Sequence, residues 1–157
     1  MPNIAVKTDT SCLIALTKTD AIDLLRQLYD EVVVTEDILE EFGEPLPEWI
    51  KIKPVTNKNY QLLLEATLDR GESSAIALSI ELGNVLLIID DLKGRKEAKR
   101  LGLKITGTLG LLFNAKQKGL IPALKPYLDK LQSVDFRISS VIVNELLTMS
   151  GEMSSQS

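Results

Sequence analysis

A chain of 157 residues, 45% hydrophobic and 25% charged, fits one globular domain with a substantial core and leaves no room for extensive disorder. Histidine is absent and Cys12 is the single cysteine, which excludes imidazole acid–base catalysis, Ser-His-Asp triads, zinc sites built on imidazole or thiolate clusters, and an internal disulfide. With a net charge of −4 and only one Trp, three Tyr and three Phe, a base-stacking platform is not expected, and any nucleic acid must be met by a local basic patch or by metal ions.

In chain order, Ile4-Ala5-Val6 reads as a first strand that runs into Thr8-Asp9-Thr10-Ser11, and Leu13, Ile14 and Leu16 supply the apolar face of a helix. Cys12 sits in that run as a small buried hydrophobe, and a lone thiol suits a reducing cytosol. Thr19 or Asp20 is expected to cap a second helical segment carrying Ile22, Leu24, Leu25 and Leu28. Val32-Val33-Val34 is the next buried strand, and Thr35 caps a short helix with Glu36 and Asp37 in its first turn, ending at Gly43. Ile50 to Val55 alternates at period two, as a half-buried edge strand does. Asn57 caps a helix with Tyr60, Leu63, Leu64 and Leu68 inward, which Gly71 is expected to break. Glu72-Ser73-Ser74 then opens a helix with Ala75, Ile76, Leu78, Ile80 and Leu82 inward and Gly83 as its stop.

Val85 to Asp91 is the most informative stretch: five aliphatic residues run straight into two carboxylates, Asp90 and Asp91. An unbroken apolar run of this length predicts a strand buried on both faces of a parallel sheet. A basic helix follows with Lys93, Arg95, Lys96, Lys99 and Arg100, then a fifth strand from Leu103 to Thr106. Thr108 is expected to cap a helix that ends at Gly119, Pro122 to start another, and Ser139-Ser140 to open the last. Residues 1–150 are read as one domain and 151–157 as a disordered tail. Strands alternating with helices predict a doubly wound, three-layer α/β fold around a mainly parallel sheet of four to five strands. No apolar stretch reaches the ~18 residues of a membrane helix and no basic, apolar leader opens the chain, so the expected location is cytoplasmic, with no membrane partner.

Parallel topology brings strand ends to one edge, where α/β sheets bind their ligands. Asp9 follows the first strand, Asp90 and Asp91 follow the fourth, and Glu72 begins the helix leading into the fourth. Glu40 and Glu41 lie late in the helix after the second strand and fall nearer the opposite edge unless that helix is short or tilted. Clustered carboxylates repel one another, and without His or Cys the fitting remedy is Mg²⁺ or Mn²⁺. Two such ions about 4 Å apart would activate water and stabilise an in-line displacement at phosphorus. Lys93, Arg95 and Lys96 could hold a phosphate backbone beside that site. Read singly, each acid also has a structural role: Asp9 in a turn, Glu72 as a complement to the helix dipole, Asp91 as the cap of the next helix.

Asp9-Thr10-Ser11-Cys12-Leu13-Ile14-Ala15-Leu16, Gly71-Glu72-Ser73-Ser74-Ala75-Ile76-Ala77-Leu78, Asp90-Asp91-Leu92-Lys93-Gly94-Arg95 and Thr106-Gly107-Thr108-Leu109-Gly110-Leu111-Leu112 together resemble the PIN-domain family, in the branch similar to VapC-type toxins. The resemblance implies a ribonuclease that hydrolyses RNA phosphodiester bonds with Mg²⁺ or Mn²⁺ held by three or four acids. Asp9 matches the first acid, supported by the Ser11 hydroxyl, Glu41 the second, and Asp90 or Asp91 the last. Glu72 stands where the toxins more often carry Asp. The implied partners are an RNA substrate and a small antitoxin protein, with a homodimer left open. The alternative reading is a PIN-like module that binds nucleic acid or protein without cutting.

Overall fold

The computed structural model describes residues 4–7, 10–134, 136 and 138–153. Its strands are β1 (Ile4–Lys7), β2 (Glu31–Thr35), β3 (Ile50–Lys53), β4 (Leu86–Ile88) and β5 (Lys104–Thr106). Its helices are α1 (Thr10–Lys18), α2 (Asp23–Leu28), α3 (Glu36–Phe42), α4 (Lys58–Leu64), α5 (Arg70–Leu82), α6 (Leu92–Arg100), α7 (Thr108–Gln117), α8 (Lys125–Ser133) and α9 (Ser140–Met149). The five strands form one parallel sheet in the order β3-β2-β1-β4-β5, as the alternation of strands and helices predicts. Ala5 and Val6, Val32 to Val34 and Leu87 to Ile89 are buried without alternation, so both faces of the central strands are covered and the fold has three layers.

The order reverses between β1 and β4: the crossover from β1 leads to β2 on one side, and β4 adds on the other. That switch point lies at the carboxyl ends of β1 and β4, the place where an α/β sheet takes its ligand. The helix that fills the layer behind it is α5. Every residue from Gly71 to Ser79 is buried, because small side chains let this helix lie close against β1, β2 and β4 on one side and against α3 and α4 on the other.

Several local expectations are corrected. Thr19 does not cap α2; its Oγ1 donates back to the Ala15 carbonyl at 2.8 Å and so completes α1, while Asp20 makes the turn at φ +58°. Gly71 does not break a helix. It lies inside the first turn of α5, whose cap is Asp69, with Oδ1 accepting from Glu72 N at 2.8 Å. Leu63, expected inward, is 73% exposed, and Ile80 and Ile52 are exposed as well, because the covering layers end at α4, at the far turn of α5 and at the sheet edge. The cap position of α7 is Gly107 and not Thr108, and α8 begins at Lys125 with Pro126 in its first turn, not at Pro122. Thr35 and Asn57 cap their helices as the sequence indicates, and Ser139 caps the last helix, which opens where expected. Glu152, placed in the expected tail, accepts from Leu124 N at 2.7 Å and Lys125 N at 3.1 Å and serves the start of α8.

Candidate functional site

The first turn of α5 is locked to the end of β2 by a chain of hydrogen bonds. Ile38 N donates to Thr35 Oγ1 (3.2 Å), and Ser74 Oγ donates to the Gly71 carbonyl (2.7 Å). The remaining Thr35 hydroxyl proton therefore goes to Ser74 Oγ, 2.6 Å away. This holds the N-termini of α3 and α5 together at the carboxyl edge and aims Glu72 into the interior, where it is 4% exposed. Its Oε2 finds no hydrogen-bond partner that would stabilise a carboxylate. Burial, then the negative charges of Asp69 and Asp91, push the Glu72 carboxyl up to about 8. A buried acid surrounded by acids is an arrangement that a fold stabilises only when something else, a proton or a cation, completes it.

Glycines make room for the acids. In the first turn of α6, a Cβ on Gly94 would stand 2.9 Å from Glu72 Oε2 and 2.5 Å from Ile89 Cδ1. Gly94 N in turn donates to Asp91 Oδ2 at 3.1 Å, so Glu72 and Asp91 meet at one residue. On Gly107 a Cβ would lie 2.8 Å from Asp90 Oδ1, and on Gly71 it would lie 2.7 Å from Glu41 Oε2. Each of these carboxylates occupies space that any other side chain would fill.

Of the residues singled out from sequence, Asp9 lies outside the described residues, in the connection between β1 and α1, and Ser11 is described only through its backbone in α1. Glu72 and Asp91 come together. Glu41 joins the same helix end, against Gly71, because α3 has only seven residues and stops at Gly43 before its last turn can reach the opposite edge. Asp90 faces the start of α7: Oδ1 accepts from Thr108 N at 2.8 Å and Oδ2 from Thr108 Oγ1 at 2.6 Å. Asp91 caps α6, the structural role open to it in the sequence. Lys93 and Lys96 are exposed on α6. Arg95 is half-buried and turned inward, Nη1 donating to the Ile89 carbonyl at 2.8 Å, so this donor is committed to the end of β4 and not to solvent.

Asp69 and Arg70 were missed. Asp69 could have been found from its spacing, since an acid three residues before Glu72 has the form of a capping box. Arg70 carries no such local signal.

All the donors gathered here are oxygens, the Glu72 oxygen is buried and short of a partner, and the glycines leave the carboxylates room to converge. That chemistry suits a hard divalent cation. Among the described residues, no three acids close into a cation-binding group by themselves. Among the described residues, too, no helix is long and apolar enough to cross a membrane. No curated protein matches the chain. A family model described as a PIN domain matches residues 5–152, nearly the whole sequence and all of the sheet but the first residue of β1. With its five-stranded parallel sheet and acids at the switch point, the chain belongs to the PIN-domain family, and its fold is of the nuclease type.

Proposed function

We propose that the chain is a Mg²⁺- or Mn²⁺-dependent endoribonuclease, the toxin of a toxin–antitoxin pair, working in the cytosol under the restraint of a small antitoxin protein. One observation carries the reading: Glu72 is a buried carboxylate at the switch point that meets other acids where a structural acid would meet donors. Asp9, Glu72, Asp90 and Asp91 would hold the cation, with Glu41 beside them. Bound there, a divalent ion would acidify a water and neutralise charge on a phosphoryl oxygen. The chain's own residues do the rest. Thr108 and Gly94 fix Asp90 and Asp91 through the N-termini of α7 and α6. Lys93 and Lys96 offer exposed charge to the phosphate backbone, where each contact adds salt-sensitive affinity.

Cleavage of single-stranded RNA in Mg²⁺ and its loss in Asp9→Asn tests the proposal; an Asp9→Asn protein as active as wild type would remove the site. Abolition of that cleavage by the small product of an adjacent reading frame tests the antitoxin. Asp90 and Asp91 both commit oxygens to helix N-termini, and this favours a second reading, a PIN-like module that binds nucleic acid or protein without cutting. The absence of saturable Mn²⁺ binding near millimolar concentration would select it.

A further inference from the structure

Arg70, the first residue of α5, reaches across to α3. Its Nη2 stands 2.7 Å from Asp37 Oδ1 and 3.5 Å from Glu40 Oε2. The Asp37 side chain is 11% exposed and is fixed from a third direction, because the buried Gln61 of α4 donates Nε2 to Asp37 Oδ2 at 2.7 Å. Asp37 and Glu41 are four residues apart in one helix and lie on the same face. With Glu40, Arg70 and Gly71 they line an open surface pocket of about 300 Å³. Holding Asp37 therefore sets where the last turn of α3 lies, and that turn brings Glu41 Oε2 into the space left by the missing Gly71 side chain. An isolated surface ion pair contributes little. This one is bridged to two acids and backed by a buried amide, the kind of network that fixes geometry.

From this geometry we propose that Arg70 is a positioning residue for Glu41: it clamps α3 to the first turn of α5 through Asp37 and Glu40, and Gly71 provides the seat in which the Glu41 carboxylate rests. The consequence for cation binding depends on the nuclease reading above; the clamp itself does not. Two measurements on the full chain separate the two. In calorimetric titration with Mn²⁺, Arg70→Ala should weaken binding about as much as Glu41→Gln, by fivefold or more. The double variant should be no weaker than Glu41→Gln alone, and Arg70→Lys, which keeps a cation opposite Asp37 and Glu40, should recover part of the loss. Effects of Arg70→Ala and Glu41→Gln that multiply, or an Arg70→Ala protein that binds as wild type does, overturn the proposal.

The second measurement needs no metal. Gly71→Ala forces the Glu41 carboxylate out of its seat only while the clamp holds it there. Its shift in urea midpoint should therefore be more stabilising in the Arg70→Ala background than in wild type. Equal shifts in the two backgrounds overturn the clamp. A wild-type chain that fails to bind Mn²⁺ but gives unequal shifts overturns the nuclease reading and supports the clamp.

Discussion

The two ends of α5 carry the same functional group in opposite conditions. At the far end, Glu81 accepts from Thr56 N at 3.0 and 3.1 Å and from Asn57 N at 2.7 Å, and so serves the start of α4. Burial works to raise its carboxyl, but those backbone hydrogen bonds outweigh it and hold the group below the usual carboxylate range. At the near end, Glu72 is buried, Oε2 lacks a donor, and Asp69 and Asp91 add negative charge, so its carboxyl rises to about 8. One acid is surrounded by N–H groups and the other by carboxylates. The first completes a fold. The second leaves a deficit that a proton or a cation would complete, and in a chain with 22 acids this contrast is what supports the proposal that Glu72 belongs to a cation site.

The largest effect should come from the deficit itself. Glu72→Gln keeps the shape and removes the ability to ionise when a cation binds; on the proposed nuclease reading, cleavage of single-stranded RNA should fall by about 10- to 100-fold, as for loss of a group that supports a metal site. The next is Gly94→Ala, whose Cβ would press on Ile89 Cδ1 and Glu72 Oε2 together. Overpacking at a buried helix turn costs about 1–3 kcal/mol, so its urea midpoint should drop along with its Mn²⁺ affinity.

Acidity then sets the ends of the helix against each other. Because the folded-state value of Glu72 lies above its unfolded one, the folded state binds more protons between about pH 4.5 and 8. In chelator, its contribution to stability is full below that window and lost as pH rises through it. Glu72→Gln should flatten this decline in pH-resolved urea titrations. Glu81 has the opposite sign: its contribution is present above its unfolded value and lost as pH falls through the lowered folded one. Smallest of all, Glu81→Gln should cost about 1 kcal/mol at neutral pH and leave cleavage per folded molecule unchanged.

Features that depend on neighbours in sequence were legible in it. The Val85 to Ile89 run marked a doubly covered strand, with β4 at its centre, and Thr35, Asn57 and Ser139 announced the helices they cap. Parallel order followed from alternation, and with it the placement of Glu72 near Asp91. What was missed depends on contacts across the fold. Gly71 looked like a helix breaker because the sequence does not show that a carboxylate 30 positions earlier occupies the space its side chain would need. Asp90 reaches Thr108, 18 residues on, and Arg95 folds back to the Ile89 carbonyl, so a residue read as basic surface serves the end of a strand. Leu63 fitted an inward stripe, but the face of α4 that the fold covers carries Gln61 and Leu64.

On the proposed reading, the acids at the carboxyl edge form a cation site completed through Glu72. Calorimetric titration of Mn²⁺ into wild type and Glu72→Gln at pH 7.5 tests it most directly, with folding of both checked by urea denaturation. Saturable binding in wild type that is lost in Glu72→Gln is the expected result; equal Mn²⁺ affinity in the two proteins, or none in either, would contradict it.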